Sequence, residues 1–142
     1  MTRGFTLPEL AIGLVLVGLL SALAAPRLRP ALDRAATATA AIEVTTALAT
    51  TRHTAIAQGV RARLVIAADS LRLDVWNGAS WTAAARWPGP AAHRVALQVS
   101  NPIVTYSPLG IGWGASNTTI TLRRGSQVET ITTSRIGRVR RS

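Results

Sequence analysis

Gly4-Phe5-Thr6-Leu7-Pro8-Glu9-Leu10 opens an apolar run that reaches Ala25, and the reading of this stretch decides the rest. Between Leu10 and Ala25 no charged residue occurs, and Arg3 precedes the run. As a helix, the segment from Phe5 to Ala25 would span ~30 Å, the thickness of a bilayer's hydrocarbon core. Arg3 on the short flank favours a cytoplasmic N-terminus, with the remainder of the chain outside. Three readings compete for the segment. It is a cleaved signal peptide with Ala22-Leu23-Ala24 as a small-residue cleavage site, a plain membrane anchor, or an assembly helix in which Glu9 acts. Only the last gives Glu9 a purpose, because a carboxylate in an apolar helix is costly unless it is paired. A free α-amino group on a neighbouring subunit is its natural partner, and cleavage after Gly4 would expose one on Phe5.

Composition narrows the function classes. The chain has 142 residues, 16 basic side chains that are all Arg, and 6 acids, for a net charge of +10. An all-arginine basic set also fits a genome-wide compositional bias. Without Cys, disulfides and thiolate metal sites are excluded, and His53 and His93 lie too far apart in sequence for the usual zinc spacings. A hydrophobic share of 48% excludes a disordered basic tail protein. The acids Glu9, Asp33, Glu43, Asp69, Asp74 and Glu129 are scattered, and none stands at motif spacing from a His. Ser107 lacks a G-x-S-x-G context. Neither an enzyme nor any cofactor or metal is expected. Asn117-Thr118-Thr119 fits a glycosylation acceptor, but that match is short and common.

Beyond the apolar run, Pro26-Arg27-Leu28-Arg29-Pro30 predicts a bend or a melted turn, with Arg27 and Arg29 at the outer membrane boundary or simply solvated. Residues Ala31 to Gln58 read as helix with Gly59 as its stop. Leu32, Ala35, Ile42, Thr45, Ala49, Arg52 and Ile56 recur at helical spacing, flanked by Leu48, and predict the buried stripe. His53 beside it is expected at the core's edge. From Val60 the period becomes two: Val60, Ala62, Leu64 and Ile66 form a first strand and Leu71, Leu73 and Val75 a second. Ala68-Asp69-Ser70 and Asn77-Gly78 are turn signals. Trp81 to Ala92 reads as mostly loop, followed by strands at Val95–Val99 and Ile103–Tyr106. Gly110 to Gly114 reads as a loop with no dinucleotide spacing. Thr118–Leu122 and Val128–Thr133 form a last hairpin around Arg124-Gly125-Ser126. The expected class is α+β, a long N-terminal helix packed on antiparallel sheet.

The heptapeptide Gly4 to Leu10 ahead of its apolar run resembles the type III signal of type IV pilins and pseudopilins. That resemblance implies that a prepilin peptidase cuts after Gly4 and methylates Phe5, and that Glu9 pairs with the amine of an adjacent subunit. Pro8 departs mildly from the commoner apolar residue but suits a first helical turn. Thr51 to Gly59, Val104 to Gly110 and Gly137 to Arg140 are similar, in that order, to landmarks of the GspH/FimT family of minor pilins and pseudopilins. The resemblance implies residues 1–4 as leader, 5–25 as transmembrane and assembly helix, 26–59 as stalk and amphipathic helix, and 60–142 as a periplasmic β-rich domain. It also implies residence in the bacterial inner membrane, with other major and minor pilins or pseudopilins as partners. Both a type IV pilus and a type II secretion pseudopilus fit.

The final residues carry the densest charge, with Arg135, Arg138, Arg140 and Arg141 around Gly137 and no acid among them. Arginine's planar fork suits phosphate, and Gly137 permits a turn or close backbone approach. In the FimT branch a tail of the form Gly-Arg-x-Arg is associated with DNA capture in natural transformation, so the resemblance implies DNA as an alternative partner. Arg123 and Arg124 would widen such a patch. A solvated basic end, or one that docks on an acidic neighbour or anionic lipid, remains the competing account. Trp76, Trp81, Trp87 and Trp113 could stack on single-strand bases. Trp76 sits on the polar parity of its strand; packing is the expectation for the other three.

Overall fold

The computed structural model describes residues 6–114 and 117–142, with backbone alone at 24–27. Gly4 and Phe5 lie outside the described residues. One helix, α1, is assigned over Leu7–Gln58, and the chain divides into two compact units, Met1–Leu32 and Asp33–Ser142.

In the first unit helical backbone is assigned through the Pro26–Pro30 segment, and of the two expected outcomes, a bend or a melted turn, the helix shows the bend, at the break between Leu23 and Leu28. A proline in a helix interior removes one ladder bond, which a long helix absorbs by local deformation. Leu7, Leu14, Leu20 and Leu23 are all exposed. Among the described residues no single helix is long and apolar enough to cross a membrane, while Leu7–Leu23 taken with Leu28–Gln58 as a broken pair meets that length and composition.

The second unit carries the globular core. Strands β1 (Ala62–Ile66), β2 (Ser70–Trp76), β3 (Trp81–Pro88), β5 (Ile103–Tyr106) and β6 (Gly112–Trp113) form one antiparallel sheet in the order β3-β2-β1-β5-β6. Strands β4 (Ala96–Val99), β7 (Thr118–Arg124), β8 (Gln127–Thr133) and β9 (Val139–Arg141) form a second, in the order β4-β7-β8-β9. The α+β expectation holds, with two sheets against the helix. The core joins Val44 and Leu48 of α1 to Leu64, Leu71, Val104, Tyr106, Ile120, Leu122 and Ile131.

The buried helix face differs from the expected stripe. Thr37, Ala40, Ala41, Val44, Ala47, Leu48, Thr51 and Ala55 are buried, whereas Leu32, Ile42 and Ile56 are exposed. Of the residues proposed for the stripe, only the flanking Leu48 is buried. Small side chains let the sheets approach the helix closely, so the face that packs is the one with alanines rather than the one with isoleucines. Threonine fits there because its hydroxyl bonds the carbonyl one turn back. The Thr37 and Thr51 hydroxyls donate to the Asp33 and Ala47 carbonyls at 2.8 and 2.7 Å. Gly59, at φ +65°, ends the helix as expected, and Val60 N–H donates to the Ala55 carbonyl at 3.2 Å.

Three segments read as loop or tail are strands. Trp81–Pro88 pairs along β2, with a bulge opposite Leu73/Asp74. It is an edge strand, where an alanine run and a terminal proline are tolerated. Gly112–Trp113 pairs with β5 inside the expected glycine loop, and Arg140 and Arg141 of the C-terminal arginines fall in β9, paired with β8. Each is short or weakly alternating, and long-range pairing supplies what local pattern lacks. The turn signals hold. Ala67 N–H donates to the Ser70 carbonyl at 2.9 Å, and the Asn77 amide oxygen accepts from the Ala79 and Ser80 N–H groups at 2.9 and 2.8 Å.

Candidate functional site

In the first unit, Thr6 and Glu9 form a helix N-cap. The Thr6 N–H and hydroxyl each donate to the Glu9 carboxylate at 2.8 Å, while the Thr6 carbonyl accepts from Leu10 N–H at 3.1 Å. Threonine followed three residues later by glutamate is a capping signature that the sequence carried in plain view. Glu9 therefore has a local partner within its own chain.

In the second unit, the C-terminal arginines sit on an ordered turn and an edge strand rather than a free tail. Ser134 N–H donates to the Arg138 carbonyl and Gly137 N–H to the Ser134 carbonyl, both at 2.9 Å. Gly112 N–H donates to the Arg135 carbonyl at 2.7 Å, which pins this turn to β6. Gly137 has φ +76°, and a Cβ there would lie 2.5 Å from the Gly110 carbonyl oxygen and 3.1 Å from Arg52 Nε. Both expected reasons for a glycine, turn and close approach, apply at once. Arg52 braces the same spot, its Nε donating to the Gly110 carbonyl at 2.8 Å.

The structure sorts the arginines. Arg141 forms a two-pronged pair with Glu129, at 2.8 and 2.9 Å. The bond from Arg141 holds the Glu129 carboxyl below its ordinary range, against a smaller opposing effect of burial. Arg124, expected in the patch, donates instead to Asp33 at 2.8 Å and to the His93 carbonyl at 2.6 Å. Arg135, Arg138 and Arg140 are exposed and form no ion pair among the described residues. Three unpaired forks on one ordered turn and strand can bind phosphate or carboxylate groups without reading sequence. Beside them lies a groove of about 590 Å³ lined by Arg52, His53, Tyr106, Gly137 and Arg138, with no acid on its wall. Burial pushes the Tyr106 phenol above its ordinary range, partly offset by the nearby Arg52 charge. His53 is exposed rather than at the core's edge, and His93 pairs with Glu43 at 2.9 Å.

The tryptophans divide. Trp87 packs against the core. Trp113 is 56% exposed, and Trp81 is half-buried, edge-on to Trp76 at 5.3 Å and outside the core cluster. Among the described residues no group of three His or acid side chains could hold a metal.

No protein-family model and no curated relative matches the chain in sequence. Two crystal structures of the type IV minor pilin FimU from Pseudomonas aeruginosa match it in fold. One gives a TM-score of 0.65 at 16% identity, covering 76% of this chain and 89% of FimU. The other gives 0.61 at 15% identity, covering 73% and 90%. At such identity the likeness is one of fold: this chain has the architecture of a type IV minor pilin.

Proposed function

We propose that this protein is a minor subunit of a type IV filament, a pilus or a type II secretion pseudopilus. The observation that carries the reading is the FimU-like fold on a chain whose N-terminal helix begins with an acid at Glu9 and continues as an uncharged apolar run. In this account a prepilin peptidase cleaves between Gly4 and Phe5 and methylates the new N-terminus. The subunit waits in the inner membrane with its β-rich domain in the periplasm, and Glu9 exchanges its Thr6 cap for a neighbour's amine on assembly. FimU's place in a type IV pilus favours the pilus over the secretion system. The test is intact-mass analysis of the full chain expressed with and without a prepilin peptidase. Loss of residues 1–4 with gain of one methyl group is expected only with the peptidase, and an unchanged mass would refute the reading.

A second reading, capture of DNA, is favoured by one observation: Arg135, Arg138 and Arg140 are exposed and unpaired on an ordered edge. Phosphate contacts of this kind act through counterion release, so affinity should fall steeply with salt. Arg138→Gln/Arg140→Gln is expected to lower duplex binding about tenfold at low salt and flatten the salt slope. Binding equal to that of the unaltered protein in a fluorescence anisotropy titration would leave these arginines as a structural or subunit-docking edge.

A further inference from the structure

The outer face of the five-stranded sheet carries an alternation of arginine and tryptophan side chains. Residues Ala62, Leu64, Leu71, Leu73, Val104 and Tyr106 face the core, so their strand neighbours Arg61, Arg63, Thr105 and Trp76 face away. Taken by contact, the series runs Trp113, Arg61, Trp76, Trp81, and Arg63 of β1 reaches across to Trp81. The Arg61 guanidinium lies 5.3 Å from the Trp113 ring centroid and 5.1 Å from that of Trp76. Trp76 meets Trp81 edge-on at 5.3 Å, and Arg63 lies 4.4 Å over Trp81. These contacts run from the β6 edge to the β3 edge of the sheet.

Charge on this ladder is not balanced evenly. Arg63 and Arg72 both pair with Asp74 at 2.9 Å, so that carboxylate is spent. Arg61 makes ring contacts only, with no acceptor bonded to its guanidinium among the described residues. Beside it opens a groove of about 590 Å³ lined by Gly59, Val60, Arg61, Trp76, Pro108 and Trp113, with no acidic residue. Asn77 and Gly78 also line it. The turn that bears unpaired Arg135 is bonded to Gly112, the residue before Trp113. One exposed indole, Trp113, and the Arg61 and Arg135 guanidinium groups without anions therefore share one strip of surface.

From this juxtaposition we infer that the outer sheet face binds single-stranded nucleic acid, with a base stacked on Trp113 and its phosphate on Arg61. This rests on the nucleic-acid reading above and adds which form is taken. A duplex presents phosphates to arginine but keeps its base faces stacked inside, out of reach of an indole. A single strand offers both, and stacking on aromatic rings tolerates any sequence because every base has a π-face. The strip thus adds a stacking site to the phosphate contacts of Arg135, Arg138 and Arg140.

The test is fluorescence anisotropy of the full-length chain in detergent micelles, with a labelled thymidine 12-mer, a duplex of the same length, and a polyuronate as competitor. The unaltered protein is expected to bind the single strand more tightly than the duplex and to lose tryptophan fluorescence as it does. Trp113→Ala should weaken single-strand binding about tenfold and leave duplex binding unchanged, whereas Trp113→Phe should recover part of the loss. Trp113 is more than half exposed, so the variant's thermal unfolding should match the parent's. Equal affinity for both forms, or a Trp113→Ala loss shared equally between them, would overturn the inference and leave the arginine reading standing. Polyuronate binding that depends on Trp113, with no single-strand binding, would also overturn it, assigning the strip to acidic glycans. Binding of neither nucleic acid would remove both readings together.

Discussion

Glu9→Ala is expected to leave membrane insertion intact and to cut the amount of this protein in sheared filaments roughly tenfold or more, if the carboxylate pairs with a neighbour's amine. Insertion should survive because the substitution makes the segment more apolar. Within the chain the loss is local: the Thr6 N–H and hydroxyl lose a carboxylate they each bond at 2.8 Å. Assembly is different, since an amine brought into an apolar bundle needs a counter-charge. Glu9→Gln separates the two effects, because its amide oxygen can still cap the helix while the charge is gone. Both variants are expected to fractionate with the membrane and be missing from filaments, in cells that supply the other subunits. Glu9→Gln filaments at the parental level would show that capping, not charge pairing, is the residue's task.

Gly137→Val is expected to destabilise the 33–142 unit by about 2–4 kcal/mol. Two costs coincide. At φ +76° a β-branched residue is held in the left-handed region, which it strongly disfavours. Its Cβ would also stand 2.5 Å from the Gly110 carbonyl oxygen, which is backbone and cannot swing aside. Relief requires the Ser134–Arg138 turn to lift from Gly112 and Arg52 to shift from Gly110. For a unit of this size the midpoint of thermal unfolding should drop by roughly 10 °C or more. Gly59→Ala is the control, since Gly59 has a similar φ but open space around its Cβ position. It should cost only about 1 kcal/mol. Equal losses in the two variants would mean that backbone conformation alone, and not the contact with Gly110, makes Gly137 necessary.

Local signals made much of this molecule readable. Alternation from Ala62 to Ile66 and from Leu71 to Val75 marks two strands, with Ala62, Leu64, Ile66, Leu71 and Leu73 buried as read, Val75 half-buried, and Asp74 of the outward parity buried in its pairs with Arg63 and Arg72. Asn77-Gly78 and Ala68-Asp69-Ser70 place their turns, and Gly59 ends the helix. Each signal depends on a few adjacent residues, and the physics behind it is equally local. The helix shows where that logic stops. Ile42 and Ile56 look like core by side-chain size and are exposed, while Thr37 and Thr51 look unfavourable and are buried. Which face packs depends on how closely two sheets approach, and no helical window contains that distance.

The candidate sites divide in the same way. Residue types alone set the chemistry on offer: a lone acid ahead of an apolar run, a cluster of arginines, four tryptophans and no metal-ligand spacing. Which arginines remain available is a tertiary outcome. Arg124 is spent on Asp33, 91 positions away, and Arg141 on Glu129 across two strands, leaving Arg135, Arg138 and Arg140 outward. Likewise Arg61, Trp76 and Trp113 meet only because β1, β2, β5 and β6 lie side by side. Composition and spacing thus determined the fold class, the uncharged run behind Glu9 and the sign of the net charge. Strand pairing across long separations decided the buried helix face, the ordered edge made from the arginines and the aromatic strip, because charge neutralisation and stacking act through space between residues that sequence keeps apart.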